Sequence, residues 1–159
     1  MIEAWFDGVC EPRNPGGHAA FGALVKVDGA VVLSVGKYVG HGPTMSNNVA
    51  EYSGAIAVLE EIPKHRGVAK IYGDSKLVVM QLTRQWAVHG GFYVPFYERA
   101  RKLYEPLRVR ASFFWISRDK NGECDRLSKD VLHSMGIKFR IQPEASAVIQ
   151  EYGDSLRGE

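Results

Sequence analysis

Two runs rich in Val and aromatic residues, 20–27 and 30–39, are separated only by Asp28-Gly29. An Asp-Gly pair tolerates the positive backbone angles of a two-residue hairpin turn, so it commits these runs to two antiparallel strands. Residues 2–6 read as an earlier strand, with Ile2, Ala4 and Phe6 on one face and Glu3, Trp5 and Asp7 on the other. Between them, Pro12, Asn14, Pro15, Gly16 and Gly17 predict a loop over 9–18. The chain is therefore expected to open with three antiparallel strands.

From residue 40 the pattern changes. Gly40 and Pro43 break the strand, and Ser46 or Asn47 has the character of a helix cap, predicting a helix over 48–62 closed by Pro63. A short strand over 68–73 runs into Asp74-Ser75, a second cap-like pair, with a helix to about residue 81. After the break at His89-Gly90-Gly91, residues 96–107 read as helix, 111–116 as strand and 121–135 as helix. Strands alternating with helices imply parallel pairing through right-handed crossovers, hence an α/β fold. Residues 137–141 alternate like a strand, Pro143 stops them, 144–152 suit a short helix, and 153–159 are polar and expected to fray.

The 159 residues, 45% of them hydrophobic, make one domain's worth of core, and a net charge of +2 permits a basic surface without demanding one. Cys10 and Cys124 are far apart and form no CxxC, which suits a reducing compartment. The N-terminus lacks a basic-then-apolar signal layout, and no apolar run reaches the roughly 18 residues of a membrane span. A cytoplasmic protein with no membrane contact is the expectation.

Four acids carry the chemical argument, although each has an ordinary structural explanation. Asp7 precedes Gly8 and reads equally as a turn residue. Glu51 shares a helical face with Ala55, Val58 and Ile62, where a carboxylate is costly unless paired; a first-turn acid favoured by the helix dipole is the plain alternative. Asp74 could be a helix cap, and Asp125 another dipole-favoured acid. As a set they are more informative. Asp7 and Asp74 end strands expected to be neighbours, and Glu51 and Asp125 begin helices expected near those ends. Ligands of open sheets bind at such carboxyl ends. Packed carboxylates repel unless cations neutralise them, and all-oxygen ligands suit Mg²⁺ or Mn²⁺. Two such ions, about 4 Å apart, clamp the oxygens of an in-line phosphoryl transfer.

The motifs resemble those of type 1 ribonuclease H. Asp7-Gly8, Asn14-Pro15-Gly16-Gly17 and Phe21-Gly22 resemble its opening; Ser46-Asn47-Asn48-Val49-Ala50-Glu51 resembles its Ser/Thr-Asn-Asn-x-x-Glu block. Asp74-Ser75 falls where its third acid belongs, and Trp115-Ile116 with Arg118, Asn121, Cys124 and Asp125 resembles the block holding the fourth. The matches follow the family's order over residues 2–135. The resemblance implies a ribonuclease H-like fold, a five-stranded mixed sheet ordered 3-2-1-4-5 and flanked by helices, in a domain over 1–135 with a C-terminal extension over 136–159. It implies hydrolysis of the RNA strand of RNA–DNA hybrids with two Mg²⁺, or Mn²⁺ as substitute, by a monomer. Asp7 would ligate both metals and Asp74 bridge them; Asp125 would hold the metal that activates water, and Glu51 the other metal and a ribose 2′-OH. Asn14, Asn47, Ser75 and the backbone near Cys10 match positions that read 2′-OH groups, and Ser46 and Asn48 match positions that grip a DNA phosphate.

The chain departs from that pattern in three places. Residues 118–120 are short and hold no loop His, like the archaeal-type subgroup; His18, His41 and His89 each read as lone surface residues. Residues 85–97 stand where some members carry a basic protrusion but are aromatic, and core packing is expected for most of Trp86, Phe92 and Tyr93. Lys76 replaces a common Gln and would meet phosphate or solvent. Two competing readings are a catalytically silent hybrid-binding module and a DNA-cutting nuclease of the same fold. The intact acid quartet argues against the first, and the Asn-rich hydroxyl readers argue against the second.

Overall fold

In the computed structural model, which describes residues 1–141, Asp28 (φ 49°) and Gly29 (φ 84°) both take positive φ. Two such angles make the hairpin turn whose twist matches its strands. The turn joins β2 (His18–Val27) to β3 (Ala30–His41). Strand β1 (Ile2–Glu11) pairs antiparallel with β2, from Ile2↔Val27 to Glu11↔His18. This is a correction: the turn residues at 9–11 stay in the sheet because each finds a ladder partner on β2, and only 12–17 remain as loop.

Helix α1 (Asn47–Glu61) starts at Ser46, whose hydroxyl accepts from the Val49 amide. It leads to β4 (Ala69–Gly73), then α2 (Lys76–Leu82), α3 (Val94–Tyr104), β5 (Ala111–Trp115) and α4 (Gly122–Ser134). β4 lies parallel to β1 and β5 parallel to β4, so the sheet order is β3-β2-β1-β4-β5, the order the resemblance implies. Ser75, not Asp74, caps α2 by accepting from the Val78 amide, which leaves the Asp74 carboxylate free of that duty.

The sheet is buried unequally. Phe6, Ile71 and Phe113 form one core with Tyr52, Ala55, Val58, Leu59 and Ile62 of α1 and with Ala100 and Tyr104 of α3. On the other face α4 lies over β1, β2 and β3, and Leu132 packs with Val9, Ala20 and Phe139. Two glycines let these helices approach. A Cβ on Gly8 would lie 2.4 Å from the Glu51 amide nitrogen, and one on Gly22 2.4 Å from the Cys124 carbonyl oxygen.

Residues 137–141 do not form the expected strand. Phe139 is buried and stacks on His133 (centroids 4.2 Å apart), while the Arg140 amide donates to the Glu11 carboxylate at 2.9 Å instead of to a backbone ladder. The expected turn at Pro143, helix at 144–152 and frayed end lie outside the described residues. The expectation of core packing fails for Trp86 (43% exposed) and Phe92 (62%), because the segment before α3 lies outside the core; only Tyr93 turns inward, stacking on Tyr52. Among the described residues, no helix is long and apolar enough to cross a membrane.

Candidate active site

Asp7 and Asp74 come from the two parallel central strands, but Asp7 does not end its strand as expected: β1 runs on to Glu11 along β2, and Asp7 stands one residue past the last pairing of β1 with β4, Phe6↔Gly73. Asp7, 4% exposed, lies in β1, and Asp74 follows β4 directly. Glu51, 3% exposed, enters from the start of α1 because Gly8 lets that helix touch β1. One carboxylate oxygen from each of Asp7, Glu51 and Asp74 lies within 4.8 Å of the others.

Three carboxylates this close in a dry setting cannot all be charged cheaply. Burial, followed by the Asp74 charge, pushes the Asp7 carboxyl up to about 7. Burial, then Asp7 and Asp74, drives Glu51 well above the usual carboxylate range. Asp74 is also raised by burial, opposed first by a hydrogen bond from Asn121. Glu51 Oε1 is buried and without a hydrogen-bond partner among the described residues, a costly state for an acceptor. A hard divalent cation would relieve the repulsion and occupy that oxygen, so the donor set fits Mg²⁺ or Mn²⁺.

Asp125 stands apart from this cluster. It is in the first turn of α4 with its side chain 32% exposed, and Lys129, one turn later, holds its Oδ2 at 3.1 Å. Its charge nevertheless raises Asp7 and Asp74, and it lines the same open cleft of about 800 Å³ as Asp7 and Glu51.

Asn14 and Asn47 also line that cleft, and Asn14 Oδ1 accepts the Asn47 amide at 2.8 Å, tying the 12–17 loop to α1. Ser46 and Ser75 spend a lone pair on their helix caps but keep a hydroxyl proton to donate. Asn48 is half-buried in the first turn of α1. At Cys10, where a backbone contact is expected, the thiol is buried and donates to the Arg13 carbonyl, and Arg140 donates to the Cys10 carbonyl oxygen at 3.0 Å.

Three further residues matter. Asn121 donates to the Phe6 carbonyl at 2.8 Å and to Asp74 at 3.5 Å, fastening α4 to both acid-bearing strands. Lys129 was findable from its i,i+4 spacing to Asp125; nothing in the sequence marks Arg140. The histidine expectation also needs correcting. His18 and His41 are not lone: they are cross-strand partners with rings stacked 3.9 Å apart, and His18 Nδ1 lies 2.8 Å from the Tyr38 hydroxyl. Lys76 is exposed to solvent, one of its two expected settings, with its Nζ 5.6 Å over the half-exposed Trp115 ring.

A 3-2-1-4-5 mixed sheet with carboxylates clustered where its two parallel central strands part defines the ribonuclease H-like class. Residues 6–131 match the family model described as reverse transcriptase-like. The crystal structure of RNase H1 from Halobacterium salinarum is 31% identical, with a TM-score of 0.71 over 84% of this chain and 98% of that one. The N-terminal RNase H domain of Rv2228c from Mycobacterium tuberculosis is also 31% identical, with a TM-score of 0.70 over 84% and 96%. The curated full-length relative, "Bifunctional protein Rv2228c", is 37% identical over 139 residues, which is 86% of this chain but 37% of that protein's length. LC11-RNase H1, solved in complex with an RNA/DNA hybrid, shares the fold at 22% identity and a TM-score of 0.71. The chain belongs to the type 1 ribonuclease H family.

Proposed function

We propose that the domain formed by residues 1–135 is an endonuclease that hydrolyses the RNA strand of RNA–DNA hybrids, leaving 5′-phosphate and 3′-hydroxyl ends. The observation that carries this reading is the triad of buried Asp7 and Glu51 with half-buried Asp74, and its Glu51 oxygen unpartnered among the described residues. Family membership and the RNase H neighbours support the substrate class.

Asp7 and Asp74 would hold two Mg²⁺, or Mn²⁺, ions between them, with Asp125 on the water side and Glu51 on the leaving-group side. When bound, such a pair activates water and steadies the leaving oxygen of an in-line displacement. The chain's own residues supply the rest. Asn121 orients Asp74. Lys129 holds Asp125 at the cleft and would release it as the site fills. Asn14, Asn47, Ser75 and the backbone at Cys10 would meet 2′-hydroxyls, the groups that distinguish RNA from DNA. Ser46 and Asn48, at the N-terminus of α1, suit a DNA-strand phosphate. Recognition through sugar and phosphate carries little base specificity. The setting we infer is the cytoplasm, with the protein as a monomer; the two free, buried cysteines suit a reducing compartment.

The test is a labelled RNA–DNA hybrid incubated with Mg²⁺ or Mn²⁺, beside the Asp7→Asn variant. Wild type should cut the RNA strand, and the variant should lose at least about a hundredfold in rate, the usual scale for removing a transition-state charge contact. Equal cleavage by both, or none by either, would sink the proposal. A panel of hybrid, duplex DNA, duplex RNA and branched DNA separates this activity from a DNA nuclease.

A further inference from the structure

Helix α4 covers β1, β2 and β3, and beyond it the same sheet face carries an aromatic row. Trp5, Tyr72 and Phe114 are in register across β1, β4 and β5. The Trp5 and Tyr72 rings stack with centroids 5.6 Å apart, and Tyr72 and Phe114 follow at 5.8 Å. Trp5 and Tyr72 are half-buried, and Phe114 is 42% exposed. None of the three belongs to the core, which takes Phe6, Ile71 and Phe113 from the opposite face. A sheet face turned to solvent ordinarily carries polar residues at these positions.

Cross-strand aromatic pairing alone would explain the stacking. It does not explain the lysines around it. Lys26 Nζ lies 5.5 Å over the Trp5 ring, Lys70 is exposed two residues before Tyr72 on the same face, and Lys120 lines the groove beside Trp5. Glu3 and Glu123 lie among them, leaving the lysines in excess. The rings also stand close to the acids. Trp5 precedes Asp7 by two residues on β1, and Tyr72 precedes Asp74 by two on the chain leaving β4. Two residues of strand span about 6.6 Å. The row of rings therefore runs alongside the row of acids.

We propose that this face is a platform for single-stranded nucleic acid, with a base stacking on Phe114, which ends the row of rings, further bases against the edges of Tyr72 and Trp5, and phosphates on Lys26, Lys70 and Lys120. Aromatic rings flanked by cations bind single strands with little sequence preference, because every base offers a π-face. The platform extends the nuclease reading: it would hold an unpaired strand beside a hybrid seated at the acids. Its binding can be measured without any cleavage.

The experiment uses a fluorescein-labelled oligodeoxythymidylate of about twelve nucleotides, within the usual site sizes, which lacks the ribose needed for cutting. Anisotropy should show saturable binding to the full chain. Phe114→Ala and Tyr72→Ala should each weaken it at least about fivefold. Lys26→Glu combined with Lys70→Glu should weaken it further and flatten its salt dependence. Phe114→Leu keeps apolar bulk without a ring; it should bind as poorly as Phe114→Ala while melting like wild type. All these variants should cut a blunt hybrid at the wild-type rate. The platform is overturned by an oligonucleotide that does not bind, or by binding indifferent to the ring variants. It is also overturned by self-association in sedimentation that Phe114→Ala abolishes and the oligonucleotide leaves intact, which would make the face a protein interface. Failure of wild type to cut hybrid would remove the nuclease reading but leave the binding result standing.

Discussion

Glu51 combines two conditions that conflict in a protein without metal: full burial and a carboxylate oxygen with no partner among the described residues. Replacing it with Gln removes the charge while keeping the shape. The expected outcome is a metal-free protein at least as stable as wild type at neutral pH, with hybrid cleavage reduced at least about a hundredfold. Urea titration and a cleavage assay on the same preparation check both halves. Asn121 behaves in the opposite way. Asn121→Ala removes the donor to the Phe6 carbonyl and to Asp74, leaving buried acceptors unpaired at a cost of about 1–3 kcal/mol. It should lower kcat as well as stability, because Asp74 loses the bond that orients it. Unchanged kcat in a destabilised variant would reduce Asn121 to a structural residue.

At the scale of elements, the site depends on α1 touching β1. Gly8→Ala would put a methyl carbon 2.4 Å from the Glu51 backbone nitrogen, and neither the helix nor the strand is the flexible end of a side chain. The clash should cost about 1–3 kcal/mol in urea unfolding and displace Glu51, so that activity falls even where the protein is fully folded. At the C-terminal end of β1, Arg140 bonds both Glu11 carboxylate oxygens (3.1 Å each) and the Cys10 carbonyl, pinning the strand end that opens the Asn14 loop. Arg140→Ala should raise KM for hybrid with little change in kcat and cost about 0.5–1 kcal/mol of stability, since the arginine is half-exposed. An equal fall in kcat would contradict a positioning role. The sequence made some of these elements legible and hid others for physical reasons. The hairpin, the Ser46 cap and the apolar stripe carrying Glu51 follow from local spacing. The continuation of β1 to Glu11 depends on ladder partners in β2 that no local pattern declares, and turn residues outvote it in a linear reading. Arg140 meets Glu11 across 129 positions of chain, and Asp125 turns toward Lys129 instead of into the triad; both are tertiary facts.

For the whole molecule, the acid cluster ties stability to pH and metal together. Burial lifts Asp7 from 3.8 to about 7 and raises Glu51 and Asp74, so the folded state binds more protons than the unfolded chain. A raised carboxyl pKa gives stability that is complete below the unfolded value and is lost as pH climbs through the folded one. Without divalent metal, the midpoint of thermal unfolding should therefore fall between pH 4 and pH 7, with Asp7 alone accounting for on the order of 3 kcal/mol. Asp7→Asn should flatten much of that slope. Metal binding reverses it, because the ions take up the ionised carboxylates: ligand at ten times its dissociation constant adds about 1.4 kcal/mol by mass action, and adds it at high pH, where protons no longer compete. Activity should rise over the same interval, since the protons that stabilise the metal-free fold must leave before the site can bind its ions. Melting curves at pH 5 and pH 8, each in chelator and in Mg²⁺, test this directly. The expected outcome is that Mg²⁺ raises the midpoint at pH 8 and barely moves it at pH 5. An equal shift at both values would mean that the ions bind somewhere other than the carboxylates of Asp7, Glu51 and Asp74.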